Sequence, residues 1–420
     1  MEKFLHLSDI HLGNQQYGLD ERFNDFGEAF FNAVDFAIDQ KVNFVLICGD
    51  LFDKTRMDPP TLIQAIEGLK KLQNQGIKTV AIGGNHDKTR YQEGASWLDF
   101  LAEMEYIYLL SPAFSEDGIR LPPWDGKYGA YIDIDGIRIY GLPWLGASAE
   151  AVLGEYPGLI SRQERDGVEF TILMGHFGMD GQLPGVPSGL SSDIISKFEN
   201  KVDYLALGHW HKPFESGGWI FNPGSIECCG MDERDFQGGY YLVTISDKGQ
   251  KKFVAKHIPS KRRLFRRIVF QVDGYKTPSD LLNHLSERLR SEKSQLLALD
   301  KSPVIEVALE GITAFDRQQL DLELIRTMIT EILAPVLYAH PVNNTKSTRF
   351  EVKTEKSLPR GELERHVLHE LVMSDSRFSG HAEDWVAIAM EIKELANTKS
   401  SPETIIQLLR KSVEKMGWEE

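Results

Sequence analysis

The stretch FLHLSDIHLG, residues 4–13, runs from an apolar segment into an abrupt polar ending. The apolar part is typical of a β-strand, whereas aspartate is unfavourable in strands and a charged group is costly to bury without a partner. Asp9 and His11 stand one residue apart where the strand ends, so a carboxylate and an imidazole can both face one ion. Whether they do depends on what the other strands supply.

Other apolar runs share this design, because each is nearly continuous and stops at glycine followed by a polar residue. Amphipathic stretches lie between the early runs, with Phe26, Phe30 and Val34 recurring at helical spacing. The alternation predicts an α/β fold whose helices cover sheet faces and whose site lies beyond the carboxyl ends of the strands. The runs are NFVLICGD (43–50), IKTVAIGGN (77–85), EFTILMGH (169–176) and VDYLALGH (202–209).

Each strand end carries oxygen or nitrogen donors. Taken singly, a Gly-Asp is usually a turn and one histidine is usually a satisfied core residue. Their joint occurrence at successive strand ends predicts a metal site. The donors are Asp9 and His11, Asp50 and Asp53, Asn85, His86 and Asp87, His176, and the pair His209 and His211.

Bulk properties set the class of protein. With 420 residues the chain is expected to form two or three domains, and 42% hydrophobic with 26% charged residues is typical of a soluble globular protein. The sequence shows no signal peptide, and no stretch approaches the roughly 20 apolar residues of a membrane helix. Three cysteines without zinc-type spacing favour a reducing cytoplasm.

The formal net charge of −15 argues against a protein that simply coats nucleic acid. One segment departs from this balance: residues 248–267 contain nine Lys or Arg and no Asp or Glu. This basic strip is either a local phosphate-binding surface or a solvated linker face.

The second half of the chain has its own pattern. It predicts a small α+β domain and then a helical segment after Pro359. The predicted strands are 264–274, 303–311 and 348–356, and the predicted helices are 277–290, 316–333, 361–373, 381–397 and 402–416.

The ordered motifs D-x-H, GD-x-x-D, GNHD, GH and GH-x-H resemble the calcineurin-like metallophosphoesterase superfamily. SDIHLG, GDLFDKTR, AIGGNHD and the long C-terminal extension resemble the SbcD-type DNA double-strand-break repair nucleases, which work with an SMC-like ATPase. The resemblance is dense over residues 1–230 and only architectural beyond. It implies a four-layer αββα sandwich (1–258), an α+β capping domain that positions DNA (259–356) and a helical partner-binding segment (357–420).

The resemblance also implies two divalent metal ions that share Asp50. Because the implied ligands are oxygens and nitrogens without a thiolate, manganese is favoured, with iron or zinc as alternatives. One ion would be held by Asp9, His11, Asp50 and His211, and the other by Asp50, Asn85, His176 and His209.

Two further residues take catalytic roles by resemblance. His86 would stabilise the transition state or protonate the leaving oxygen. Asp53 would hold His86 by a hydrogen bond and favour its imidazolium form.

Weaker expectations concern partners. A homodimer would form through ASWLDFLAEM (95–104), and the terminal helices would bind the ATPase or else pack on their own domain. A face formed by Leu363, Val367 and Leu371 is the candidate surface. Contacts to DNA phosphates are expected from Arg22, Lys88, Arg90, Lys261, Arg262 and Arg263.

The favoured function is a manganese-dependent exo- and endonuclease on DNA ends. The alternative is a general or cyclic-nucleotide phosphodiesterase with the same motifs. Lys54-Thr55 and GNHD depart from the Arg-Gly and GNHE of Ser/Thr phosphatases, and the full ligand set argues against a non-catalytic scaffold. No P-loop is present, so any effect of ATP would come through a partner.

Overall fold

The computed structural model describes residues 2–55, 57–88, 94–116, 118–182, 189–246, 252–296, 299–347, 359–373, 378–398 and 401–416. The chain forms two compact units, Met1–Arg266 with Leu299–Val304, and Arg267–Ala298 with Ile305–Glu420. None of the described helices has both the length and the apolar character that crossing a bilayer requires.

The first unit is built on two six-stranded sheets, ordered β14-β13-β1-β2-β3-β4 and β11-β12-β10-β9-β8-β7. The centre of each sheet is parallel, so its strands end at one edge. The strands are β1 (Lys3–Leu7), β2 (Phe44–Cys48), β3 (Lys78–Ile82), β4 (Tyr108–Leu109), β5 (Ala113–Ser115), β6 (Gly118–Arg120), β7 (Tyr131–Ile134), β8 (Ile137–Leu142), β9 (Phe170–His176), β10 (Tyr204–Gly208), β11 (Phe214–Ser216), β12 (Ile220–Asn222), β13 (Gly239–Ile245) and β14 (Phe253–Pro259).

Helices cover the outer face of each sheet. Side chains alternate along a strand, so Leu5 packs toward the helices while Phe4 packs between the two sheets. A third apolar cluster joins the second sheet to its own helices. The four-layer αββα sandwich predicted from the sequence is therefore confirmed. Its helices are α1 (Asp20–Gln40), α2 (Pro59–Asn74), α3 (Trp97–Glu103), α4 (Ala149–Ser161) and α5 (Ser192–Ser196).

The second unit packs two helices on a three-stranded sheet around one apolar core, and three more helices follow. The strands are β15 (Phe265–Gln271), β16 (Val304–Glu310), β17 (Ile312–Thr313), β18 (Tyr338–Asn343) and β19 (Lys346–Ser347), in the sheet order β15-β16-β18 with β17 paired to β19. The helices are α6 (Pro278–Leu296), α7 (Leu322–Leu333), α8 (Arg360–Met373), α9 (Ala382–Asn397) and α10 (Pro402–Met416).

Most predicted elements of this unit are present, with two differences. Helix α7 begins at Leu322 rather than at residue 316, because the Asp321 side chain caps it by accepting from the backbone N–H of Glu323. The third strand of the sheet is β18, which the sequence pattern missed because Pro341 argues against a strand. The predicted strand 348–356 lies outside the described residues.

Candidate metal centre

All seven predicted ligands follow parallel strands whose carboxyl ends meet, β1, β2 and β3 in one sheet and β9 and β10 in the other. Four of them adopt left-handed backbone conformations, with φ of 51° at Asp9, 52° at His11, 50° at Asp50 and 90° at His209. Non-glycine residues rarely adopt positive φ, and such strain gathers at functional sites. The backbone turns sharply after each strand and directs the donors inward.

Two glycines of the motifs make room for this arrangement. Gly49 has a φ of 87°, and a Cβ there would overlap the ring of His176. A Cβ at Gly84 would overlap the carboxylate of Asp50. The Gly-Asp and Gly-Gly-Asn sequences are thus required by the close approach of neighbouring ligands.

One half of the centre contains Asp50, Asn85, His176 and His209. His176 Nδ1–H donates to the carbonyl of Cys48 at 2.8 Å, so its Nε2 faces Asp50 Oδ2 at 3.2 Å and Asn85 Oδ1 at 3.1 Å. His209 Nδ1 lies 2.9 Å from the same amide oxygen. A neutral His176 would therefore point a lone pair at two acceptor oxygens, an arrangement that either a proton on Nε2 or a cation between these atoms would satisfy.

The other half contains Asp9, His11, Asp50 and His211. His211 Nδ1–H donates to Glu233 Oε1 at 2.6 Å, which leaves Nε2 facing His11 Nε2 at 3.1 Å. Nε2 of His211 lies 3.8 Å from Asp9 Oδ1, and Nε2 of His11 lies 3.9 Å from Asp50 Oδ2. Asp50 reaches both halves, as a bridging carboxylate must.

The pKa shifts of these groups indicate which kind of ligand the site can hold. Burial alone would raise the pKa of Asp50, but the adjacent His176 keeps that pKa below its ordinary value. Burial works to lower the pKa of His176, yet the carboxylates of Asp50 and Asp9 raise it to about 9. Without an ion, protons on histidine must balance the buried carboxylates. A divalent cation would displace those protons, so the donor set fits a metal centre of oxygen and nitrogen ligands.

His86 lies beside the half of the centre that contains His11, with its ring centroid 4.8 Å from that of His11. Its backbone N–H donates to Asp50 Oδ1 at 2.8 Å, and its Nδ1–H donates to the backbone carbonyl of Asp53 at 2.7 Å. The expectation that the Asp53 carboxylate holds His86 is wrong. That carboxylate instead accepts from Asn14 Nδ2 at 3.1 Å and lies 3.6 Å from His11 Nδ1.

Three residues close to the centre have contacts that the sequence did not predict. Buried Asp87, the last residue of GNHD, accepts from the backbone N–H groups of Phe52 and Gly84 and so joins the loops after β2 and β3. Glu233 and Cys229 adjoin His211 and follow β12 in a turn that no motif marks. The sequence also did not indicate that donor atoms of Cys229, His11 and His211 lie within 4.8 Å of one another.

The predicted DNA contact at Arg22 is wrong because its guanidinium is fully buried. It donates to Asp25 Oδ2 at 2.6 Å and to Glu227 Oε1 at 3.3 Å. Arg263 is also buried, and it donates to the two carboxylate oxygens of Asp25 at 2.5 and 2.9 Å. Both arginines neutralise buried carboxylates and are not available to a DNA phosphate.

The basic strip is therefore not one solvated surface. Arg262 is half-buried and donates to the carbonyl of Phe236 at 2.9 Å, whereas Lys261 is exposed. Lys88 is exposed near the metal site, with Nζ 3.5 Å from the ring centroid of Trp144. Arg90 lies outside the described residues. Lys88 and Lys261 remain candidates for phosphate contacts.

The strand ends of two packed sheets bring carboxylates, imidazoles and an amide around a shared aspartate. This arrangement defines a metal-dependent phosphoesterase. The family model of the calcineurin-like phosphoesterases matches residues 2–213. The chain belongs to this family, and it is an enzyme of the phosphodiesterase class.

Relatives extend the similarity beyond the catalytic unit. The DNA double-strand break repair protein Mre11 of Saccharolobus solfataricus is 24% identical, over 98% of this chain and 98% of its own. The protein of the same name from Archaeoglobus fulgidus is 40% identical, over 54% of this chain and 50% of its own. Among solved structures, the calcineurin-like phosphoesterase YfkN of Bacillus subtilis aligns with a TM-score of 0.40 and 14% identity, covering 61% of this chain and 88% of that one.

Proposed function

We propose that this chain is a manganese-dependent nuclease that hydrolyses phosphodiesters at DNA double-strand ends, as an SbcD-type subunit of a repair complex. The observation that carries the proposal is the complete set of seven metal-site donors together with His86, in a chain whose relative over 98% of its length is named a DNA double-strand break repair protein. A phosphodiesterase limited to small substrates would not need the second unit.

The proposed ligands are those described above, Asp9, His11, Asp50 and His211 for one ion and Asp50, Asn85, His176 and His209 for the other. When bound, the ions would supply charge neutralisation at the phosphate and activation of the attacking water.

His86 has the orientation of a general acid. The Asp53 carbonyl accepts from Nδ1–H, so in the imidazolium form the second proton, on Nε2, is the one that can be donated to a substrate oxygen. His86 would first stabilise the charge that develops on the phosphate and then give its Nε2 proton to the leaving 3′ or 5′ oxygen. The backbone bond from His86 N–H to Asp50 fixes the loop on which this imidazole lies.

A cavity beside the ligands suits a nucleotide. It has a volume of about 250 Å³, and its lining includes His176, His209, Trp144 and Phe177. Aromatic walls can stack bases without reading their sequence. Lys88, above the Trp144 ring, would contact the adjoining phosphate.

The second unit supports the partner proposals. Its α+β portion would act as a capping domain that positions DNA, and α8 to α10 would bind an SMC-like ATPase. Leu371 on α8 and Ile406 on α10 are 42% and 50% exposed. In the first unit, Trp97, Phe100 and Met104 form an exposed apolar stripe along α3 that supports the proposed homodimer.

The proposal is tested by supplying the protein with Mn²⁺ and comparing a linear DNA duplex with bis-p-nitrophenyl phosphate, using Asp50→Ala as the control. Release of nucleotides from the duplex, absent in the variant, is the expected result. Turnover of the small diester alone would favour the phosphodiesterase alternative.

A further inference from the structure

The two halves of the metal centre differ in one donor. Near the half that contains His11 and His211 lies the thiol of Cys229, and donor atoms of the three residues are within 4.8 Å of one another. The other half offers only carboxylate, amide and imidazole. The structure therefore places a soft sulfur donor on one side of Asp50 alone.

The groups around Cys229 are arranged to present it. Glu233 accepts from His211 Nδ1–H at 2.6 Å through one oxygen and from the backbone N–H of Cys229 at 2.8 Å through the other. One carboxylate thus orients an imidazole and a cysteine at the same time, as outer-shell carboxylates do for metal-binding histidines. Arg22 donates to the carbonyl of Cys228 at 2.7 Å and so holds the same turn in place.

A second observation points to a ligand at this place. Nε2 of His11, whose side chain is buried, faces Nε2 of His211 at 3.1 Å. Because Glu233 accepts from His211 Nδ1–H, the neutral rings can place at most one proton between these two nitrogens. A cation that accepts both nitrogens and the sulfur satisfies all three groups.

We infer that Cys229 is a metal ligand and that this half of the centre selects a thiophilic ion, zinc or ferrous iron, whereas the half around Asn85 holds manganese. The inference rests on the proposed metal centre and goes beyond it by giving the two positions different metals. On binding, the S–H bond of Cys229 is replaced by a sulfur–metal bond and its proton passes to solvent.

Cys228 provides a matched control. It is the neighbouring residue, it is buried, and its Sγ–H donates to the carbonyl of Gly230 at 3.1 Å. Replacing either cysteine with serine changes one atom, so Cys229→Ser and Cys228→Ser compare the same chemical change at adjacent positions.

The test is zinc X-ray absorption on the full chain loaded with zinc, without DNA. Wild type and Cys228→Ser are expected to show a sulfur neighbour at about 2.3 Å from zinc, and Cys229→Ser is expected to show only nitrogen and oxygen neighbours. In competition titrations, Cys229→Ser should lower zinc affinity by at least about 10–100-fold and leave manganese affinity unchanged. That factor is the usual cost of losing an outer-shell partner of a metal.

A spectrum of wild type without sulfur, or one in which Cys229→Ser keeps its sulfur neighbour, would overturn the inference. An equal loss of zinc and manganese affinity in Cys229→Ser would also overturn it. Circular dichroism of both variants checks that they fold. The test measures metal coordination and affinity and not nuclease activity. Its result is therefore independent of whether the protein cuts DNA.

Discussion

A peptide carbonyl, and not a carboxylate, holds the imidazole that we assign to proton transfer. The carbonyl of Asp53 accepts from His86 Nδ1–H at 2.7 Å, while the Asp53 side chain turns toward Asn14 and His11. A neutral carbonyl orients the imidazole of His86 without adding a negative charge. The orientation of the acid is thus set by the loop after β2 itself.

His86→Ala is expected to lower hydrolysis by about 10²–10⁴-fold, the range for removal of a general acid, and to leave metal content intact because no ligand is removed. Asp53→Asn keeps the backbone carbonyl, so its loss should be well below that of His86→Ala. Steady-state rates and elemental analysis of the two variants check this. Loss of the metals from His86→Ala, or equal activity losses in both variants, would contradict the assignment.

The sequence indicated the donors because each lies at the end of an apolar strand in a fold whose strand ends must meet, and the resemblance to the family reduced them to seven candidate ligands. It did not predict where the side chain of Asp53 points, since a loop conformation decides that. Nor did it predict the approach of Cys229 to His211, because the turn after β12 carries no motif and only tertiary packing brings it there.

At the scale of elements, a buried charge network joins α1 to the segment after β12. Arg22 lies between Asp25, three residues away on the same helix, and Glu227, which is 205 residues away in sequence. Lys301 also reaches Asp25, at 3.0 Å. Sequence pattern treats Arg22 as a surface cation because its second partner is distant in the chain, and burial reverses that interpretation.

Arg22→Met should destabilise the first unit by about 3–5 kcal/mol, because it leaves the Glu227 carboxylate buried without its cation. Lys71→Met removes an exposed pair with Asp35 and should cost no more than about 1 kcal/mol. Urea unfolding of both variants gives the comparison. Similar midpoints for the two would show that the buried network does not stabilise the fold.

The β1 strand contains a buried titratable group, His6. Burial lowers the pKa of His6 from 6.5 to about 3, and its neutral ring donates to the carbonyl of Leu207 and accepts from the hydroxyl of Tyr204. Between these two pH values the unfolded chain takes up a proton that the folded chain does not. Stability therefore falls as the pH drops from 6.5 toward 3.

His6→Gln keeps a donor and an acceptor but does not titrate. Between about pH 6 and about pH 4, the free energy of unfolding of wild type should fall more steeply than that of the variant, by up to about 1.4 kcal/mol per pH unit. Urea titrations across that range measure both slopes. Parallel slopes would mean that His6 is not kept neutral by burial.

At the scale of the molecule, we propose that the α3 stripe is the surface through which two copies of the chain associate. Trp97→Glu combined with Phe100→Glu should convert a dimer to a monomer in light scattering, because both side chains are exposed and apolar. Phe114→Glu, at a more exposed residue on β5, is the control and should leave the dimer unchanged. A wild-type monomer, or a dimer that survives the double substitution, would remove α3 from the interface.

The fold class follows from sequence because strand and helix patterns alternate regularly through the first unit. The second unit was harder to predict, since a proline interrupts β18, and so was the basic strip of the first unit, whose charges divide between buried pairs and solvent. Arg263 shows the reason: a guanidinium within a basic run is bound by a carboxylate from α1, which no local pattern reveals.

We propose above all that one carboxylate, Asp50, joins two metal positions. Equilibrium dialysis against Mn²⁺ and Zn²⁺ together, with the total of bound metal counted per chain, tests this most directly. We expect about two ions for wild type and a loss of both, or of all but weak binding, for Asp50→Ala. A single ion in wild type, or two retained in Asp50→Ala, would contradict it.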